Sequence, residues 1–191
     1  MMAEAFSESV RDDLIAEIIA VFDGVSREDG TTLHEAMCID DRESDDECIA
    51  ARRFDTEQRW QDVPDNAINY CCSALSFMCP KGFRYYIPAF LRFGLKRLDN
   101  DLLKHYANDP NGILDSCYFH LLHDHPNSLR KSEPANIANK YGFNDSQCRV
   151  IAKFLRFMIG EDLTSMTELV KIQAVEKWEK YAQEHISSKS L

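Results

Sequence analysis

From residue 83 to residue 98, apolar side chains fall at Phe83, Tyr86, Ile87, Phe90, Leu91, Leu95 and Leu98, in the steps of three and four that mark one face of a helix. Pro88 sits inside that run. It has no N–H to bond back to the Arg84 carbonyl, and in a helix interior it costs about 3 kcal/mol. Two geometries fit: a turn at 82–86 that kinks into a longer helix, or an extended arm near 80–88 with Pro88 at the first helical position. The stripe keeps its phase across the proline, which favours the first. On either geometry Arg84, Tyr85, Arg92, Lys96 and Arg97 fall off the stripe and are expected at the surface.

The rest of the chain shows the same period. Val10, Leu14, Ile18, Val21 and Phe22 form one stripe, with Ser7 as its cap and Gly24 at its end. Thr32 with Glu35, and Ser44 with Glu47, fit capping boxes that open two short helices. Ile68, Cys71, Cys72, Leu75 and Met78 predict an inner helix that starts at Pro64 and stops at Cys79-Pro80, with Trp60 stapling its entry onto the core. DNDLLKHY is a brief helix and NDPNG a turn. Residues 113–122 fit helix or strand, with helix preferred. Ser132 caps a short helix closed by Gly142. Asn144 with Gln147 opens a longer helix carrying Val150, Ile151, Phe154, Leu155, Met158 and Ile159, and Ser165 with Glu168 opens the last, through Val175, Trp178 and Tyr181. These last two make a C-terminal pair over 144–185. No internal repeat or hairpin signal is present. The expected fold is all-α, a single compact multi-helix domain over 1–191, with room for short extended segments near 80–88 and 113–122.

Composition narrows the class. A chain of 191 residues, 45% hydrophobic, can bury one core. No apolar run approaches the roughly 18 residues of a membrane span, and MMAEAFSESV lacks the blocks of a signal peptide, so a cytoplasmic location is expected. The 7 cysteines include no C-x-x-C pair and are expected to be reduced and mostly buried. The net charge is −10, but residues 1–62 hold 18 acidic and 6 basic side chains, a balance of −12, against 14 and 16 in the remainder. Such a surface repels phosphate, which argues against direct nucleic-acid binding and against anionic membranes.

Two clusters offer chemistry. In CYFHLLHDH, Cys117, His120, His123, Asp124 and His125 are competent zinc ligands, although on a helix 117, 120 and 124 share a face that 123 and 125 do not. No zinc signature is matched, and a solvent-facing histidine cluster is the plainer account. In DDRESDDE the carboxylates Asp40, Asp41, Glu43, Asp45, Asp46 and Glu47 suit a basic partner or an oxygen-liganded cation, or are simply a solvated helix start. An EF-hand pattern is absent. So are G-x-S-x-G, a glycine-rich phosphate loop and any recognised Cys/His spacing.

TLHEAMCIDD, ARRFDTEQRWQDVPDNAI and LSFMCPKGFRYYIPAFL resemble a bacterial family classified only as a domain of unknown function. The likeness covers about residues 31–98, with an echo in FNDSQCRVIAKFLRF, and its most distinctive run is Phe77, Pro80, Gly82, Phe83, Arg84, Tyr86 and Pro88. It implies no activity, cofactor or catalytic residue. The first functional reading is therefore a non-enzymatic acidic binding or regulatory protein that captures a basic macromolecule, with no cofactor. By analogy, inhibitors of basic nucleases carry this charge balance, which speeds encounter. The alternative is a metal-assisted enzyme, with zinc at Cys117, His120, His123 and His125 and with Asp40, Asp41 or Glu43 contributing. On the first reading Asp40 to Glu47, together with Arg84, Tyr85, Arg92 and Lys96, form the binding surface. Pro88 is expected to aim Arg84, Arg92 and Lys96 at those carboxylates within the molecule.

Overall fold

The computed structural model describes residues 8–97, 112–122, 133–160 and 175–183. From the N-terminus, α1 (Glu8–Val21) is followed by α2 (Leu33–Asp40), α3 (Asp45–Ala51), a 3-10 turn at Arg52–Phe54, and a second at Trp60–Asp62. Then come α4 (Asp65–Tyr70), a 3-10 turn at Ala74–Phe77, α5 (Pro80–Lys96), α6 (Ile113–Leu122), α7 (Pro134–Tyr141) and α8 (Asp145–Gly160). A last helix, α9, spans 175–183. No strand occurs among the described residues, and the fold is all-α.

Local sequence sets many of these boundaries. Thr32 and Ser44 each accept from the backbone N–H three residues on, while Glu35 and Glu47 reach back to the N–H of their cap, so both capping boxes form. Asn144 and Gln147 make the same exchange at α8, at 2.9 and 3.0 Å. Pro134 occupies the first turn of α7, and Gly142, at φ +68°, ends it in the left-handed conformation that glycine adopts without a Cβ penalty. The expected caps Ser7, Ser132 and Ser165, the 99–106 helix and the N-terminal part of the last helix lie outside the described residues.

Helix α5 is the axis of the molecule. It runs through Pro88 unbroken, starting at Pro80, where a missing N–H costs nothing. Every residue from Tyr85 to Leu95 is buried. α1, α4, α6, α7 and the Trp60–Asp62 turn all pack on it, and α8 lies against α1. A helix covered on all sides has no polar face. That corrects the expectation for Tyr85 and Arg92, which the spacing placed at the surface. Tyr85 is fully buried, and Arg92 lies under the Trp60 turn, donating to the carbonyls of Gln61 (2.7 Å) and Val63 (3.2 Å). α9 closes the far side: Trp178 is buried, and its Nε1 donates to the Leu121 carbonyl at 3.0 Å.

Two further expectations change. Val10 is 54% exposed, so the α1 stripe begins at Leu14. Residues 64–79 do not form one inner helix. The chain leaves helical geometry at Cys71 (φ −95°, ψ 41°), turns, and resumes as 3-10 at Ala74–Phe77. In that turn Ser73 Oγ donates to Asp40 Oδ2 at 2.8 Å, a tertiary bond that a straight helix would forgo.

The N-terminus of α5 meets the chain before α2 backbone to backbone. A Cβ on Gly82 would sit 2.4 Å from the Thr31 carbonyl oxygen, and one on Gly30 would sit 2.5 Å from the Gly82 nitrogen. Thr31 N donates to Cys79 Sγ (3.3 Å) and Cys79 N to Thr31 Oγ1 (3.1 Å), which locks the contact. Gly82→Ala is therefore expected to lose about 1–3 kcal/mol or more in urea denaturation, because backbone cannot step aside as a side chain can. Gly160→Ala, with open space around it, should lose nothing.

Candidate partner-binding face

Helix α2 carries a polar network along one flank. Glu35, besides completing the capping box, accepts from Arg52 Nη1 at 2.7 Å, and Arg52 Nη2 donates to the carbonyl of Gly30 at 3.0 Å. Next to it, buried Asp55 accepts twice from His34: from the backbone N–H at 2.9 Å and from Nδ1 at 2.8 Å. A carboxylate only accepts, so Nδ1 carries the proton and Nε2 is left on the opposite side of the ring. Phe54 and Tyr70 flank that imidazole, their ring centroids 5.4 and 6.1 Å away. Both are exposed, at 60% and 71%.

Behind this face the loop that holds Asp55 is tied to α5. Arg27 Nη1 donates to Tyr86 OH (2.8 Å) and to the Asp55 carbonyl (3.2 Å), and Tyr86 OH donates to Glu57 Oε1 (2.8 Å). Burial pushes the Tyr85 phenol up to about 12 and the Tyr86 phenol further, so both stay protonated donors at neutral pH.

At the other end of α2 the acidic run makes the turn into α3. Asp40 is partly buried and bonded to Ser73, while Asp41, Glu43, Asp45, Asp46 and Glu47 are exposed. Hydrogen bonds from the Ser44 side chain and backbone hold the Glu47 carboxyl below the usual carboxylate range. Among the described residues no Lys or Arg forms an ion pair with any carboxylate of 40–47. The expected pairing with α5 is not made. Arg84 bonds Glu28 at 3.1 Å, Arg92 faces Asp65 at 3.7 Å, and Lys96 is exposed at the end of α5. Ile39 and Ile49, at 42% and 61% exposure, lie next to the acidic turn.

The zinc cluster divides. Cys117 is buried on α6, and burial raises its thiol far above the ordinary range. His120 is also buried, not solvent-facing: its Nε2 lies 3.1 Å from Ser76 Oγ, and its ring meets the edge of Phe83 at 5.8 Å. His123, Asp124 and His125 lie outside the described residues. Among the described residues no group of three or more metal-competent side chains converges. The cysteines are free; Cys48, Cys71, Cys117 and Cys148 are buried, Cys38 and Cys72 partly so, and Cys79 is exposed. No described helix is long and apolar enough to cross a membrane.

His34, Asp55, Phe54 and Tyr70 were not reachable from spacing. His34 and Asp55 are separated by 21 positions, and periodicity carries no information across a turn of that length. Both do lie in the stretches that carry the family likeness, and the structure folds those three stretches onto one another through the Thr31–Cys79, Arg52–Glu35 and His34–Asp55 contacts. No curated protein and no solved structure matches the chain. A family profile matches residues 10–183, nearly the whole length, and the chain belongs to that family, described as a family of unknown function (DUF6714).

Proposed function

We propose that this is a non-enzymatic binding or regulatory protein, cytoplasmic, whose α2–α3 face captures a basic segment of a protein partner. The observation that carries this reading is the set of exposed carboxylates at Asp41, Glu43, Asp45, Asp46 and Glu47, which form no ion pair among the described residues while Arg52, Lys81, Arg84 and Lys153 are paired elsewhere. Uncompensated charge of one sign steers an oppositely charged partner and fades with salt. Charge alone gives encounter rather than a lasting complex. Ile39, Ile49, Phe54 and Tyr70 supply the apolar contact that partners bury at the centre of an interface. Direct contact with nucleic acid or membrane forms no part of this reading, and neither does a cofactor.

A displayed library of random peptides tests it. Wild-type protein is expected to enrich Lys- and Arg-rich sequences carrying an aromatic or aliphatic residue. The variant Asp41→Asn, Glu43→Gln, Asp45→Asn, Asp46→Asn is expected to lose that enrichment at least about tenfold at physiological salt. Enrichment without a basic bias, or equal capture by the neutralised variant, would sink the proposal. Near-stoichiometric zinc in protein purified without a histidine tag would favour the metal-assisted alternative instead.

A further inference from the structure

We infer that the cleft between the end of α1 and the start of α8 binds a small zwitterion of the amino-acid class, with Arg84 receiving its carboxylate. The cleft has a volume of about 410 Å³, within the range of small-molecule sites. The chain that leaves α1 supplies Asp23, Ser26 and Glu28 to its lining, α5 supplies Arg84, and the start of α8 supplies Asn144 and Gln147. None of these residues belongs to the α2–α3 face, so the inference stands apart from the function proposed above. What singles the cleft out is a set of donors with nothing to bond. Arg84 commits Nη2 to Glu28 Oε1 at 3.1 Å, while its Nε is buried without a hydrogen-bond partner and its Nη1 has none among the described residues. Gly142, at φ +68°, lies against that Nη1: a Cβ there would come within 3.0 Å of it, so any larger residue would crowd the guanidinium. Gln147 is only 4% exposed; its Oε1 accepts from the Asn144 N–H at 3.0 Å, and Asn144 Oδ1 accepts from the Gln147 N–H at 2.9 Å. That exchange occupies both amide oxygens and leaves both amide nitrogens without a partner among the described residues. Ser26 Oγ accepts from the Glu28 N–H at 3.2 Å, so its proton also remains to be donated. Polar groups in a buried setting are normally paired, and the partner that would satisfy this set is an acceptor.

Charge narrows the ligand. One guanidinium among neutral amide and hydroxyl donors suits a planar carboxylate, whose two oxygens match the arginine fork. A phosphate dianion would meet two carboxylates, Asp23 and Glu28, against that single cation. The same carboxylates suit an ammonium group on the ligand. Asp23 is the better placed of the two. Gln61 Nε2 at 2.8 Å and Arg59 Nη2 at 3.7 Å both fall on its Oδ1, which leaves Oδ2 able to accept, whereas Glu28 is bonded through Oε1 to Arg84 and through Oε2 to Lys81. A small molecule that carries a carboxylate and an ammonium on neighbouring atoms is an amino acid. The C-terminus of a peptide offers the same carboxylate without the neighbouring ammonium, and the two sources are told apart by experiment.

Isotope-labelled full-length protein is titrated with each of the proteinogenic L-amino acids in turn, and the amide signals are followed by NMR. At least one amino acid is expected to shift Ser26, Glu28, Gly142 and Asn144 saturably. Its C-terminal amide, which lacks the carboxylate, and its N-acetyl form, which lacks the ammonium, are each expected to bind at least about tenfold more weakly. Arg84→Lys keeps a charge beside Glu28 but loses the fork, and is expected to weaken binding at least about tenfold while leaving the signals of 39–49 in place. The ligand series runs on unaltered protein, so it decides the question even where Arg84→Lys folds poorly. No shift at the cleft from any amino acid, in protein with a native spectrum, would overturn the inference, and so would equal binding of the amide. Equal binding of the N-acetyl form would give the cleft to peptide C-termini and overturn the zwitterion.

Discussion

Trp60→Ala is expected to remove about 3–5 kcal/mol of folding stability, most or all of the margin of a small domain. The indole is fully buried, its Nε1 donates to the Phe22 carbonyl at 2.8 Å, and the Arg92 guanidinium lies 5.5 Å from the ring centroid. Truncation opens a cavity. It also takes the shorter of two donors from the Phe22 carbonyl, which keeps only the Val25 N–H at 3.3 Å, and strips the cover from a buried cation, and each of those losses adds to the cavity term. Trp60→Phe, which keeps most of the volume and loses the hydrogen bond, is expected to cost about 1–2 kcal/mol. Urea denaturation at constant slope separates the two. If Trp60→Ala and Trp60→Phe lost the same small amount, the staple described here would be wrong.

Phe83→Ala should be comparably severe, about 3–5 kcal/mol. Phe83 is fully buried, stacks on Tyr141 with ring centroids 3.9 Å apart, and meets His120 edge-on. One ring thereby joins α5 to α6 and α7. Its loss is expected to weaken the docking of both helices together, which hydrogen exchange would show as faster exchange across 113–122 and 134–141. Phe90→Ala, equally buried on α5, is the comparison at a different point of the core. A loss below about 1 kcal/mol at Phe83 would mean that α6 and α7 dock without it.

The parts of this fold that were legible in the sequence are those whose causes lie within four residues. The boxes at Thr32, Ser44 and Asn144, the end of α7 at Gly142 and the passage of α5 through Pro88 all depend on near neighbours or on one periodic stripe. What depends on a distant element was hidden. Spacing put Arg92 and Tyr85 off the stripe, yet α5 is wrapped on every side, so the positions facing away from one neighbour face another. The break at Cys71 goes together with a bond from Ser73 to Asp40, 33 positions earlier, which local spacing does not reveal. Arg84 was expected opposite 40–47 and found Glu28 instead, since surface ions take whichever partner the packing brings near. For the candidate face, the acidic half was visible as a charge run, while its aromatic half was not. Phe54 and Tyr70 become neighbours only through His34, which Asp55 holds in place.

Whether the α2–α3 face is a docking surface is tested most directly by titrating isotope-labelled protein with a Lys- and Arg-rich peptide carrying one tryptophan, following the amide signals by NMR. The expected shifts fall on residues 39–49, with His34, Phe54 and Tyr70, and shrink as salt rises from about 0.05 to about 0.5 M because the attraction is screened. Shifts centred instead on the cleft lined by Ser26, Glu28, Arg84 and Asn144, or shifts on 39–49 that ignore salt, would contradict the assignment of this face to a basic partner.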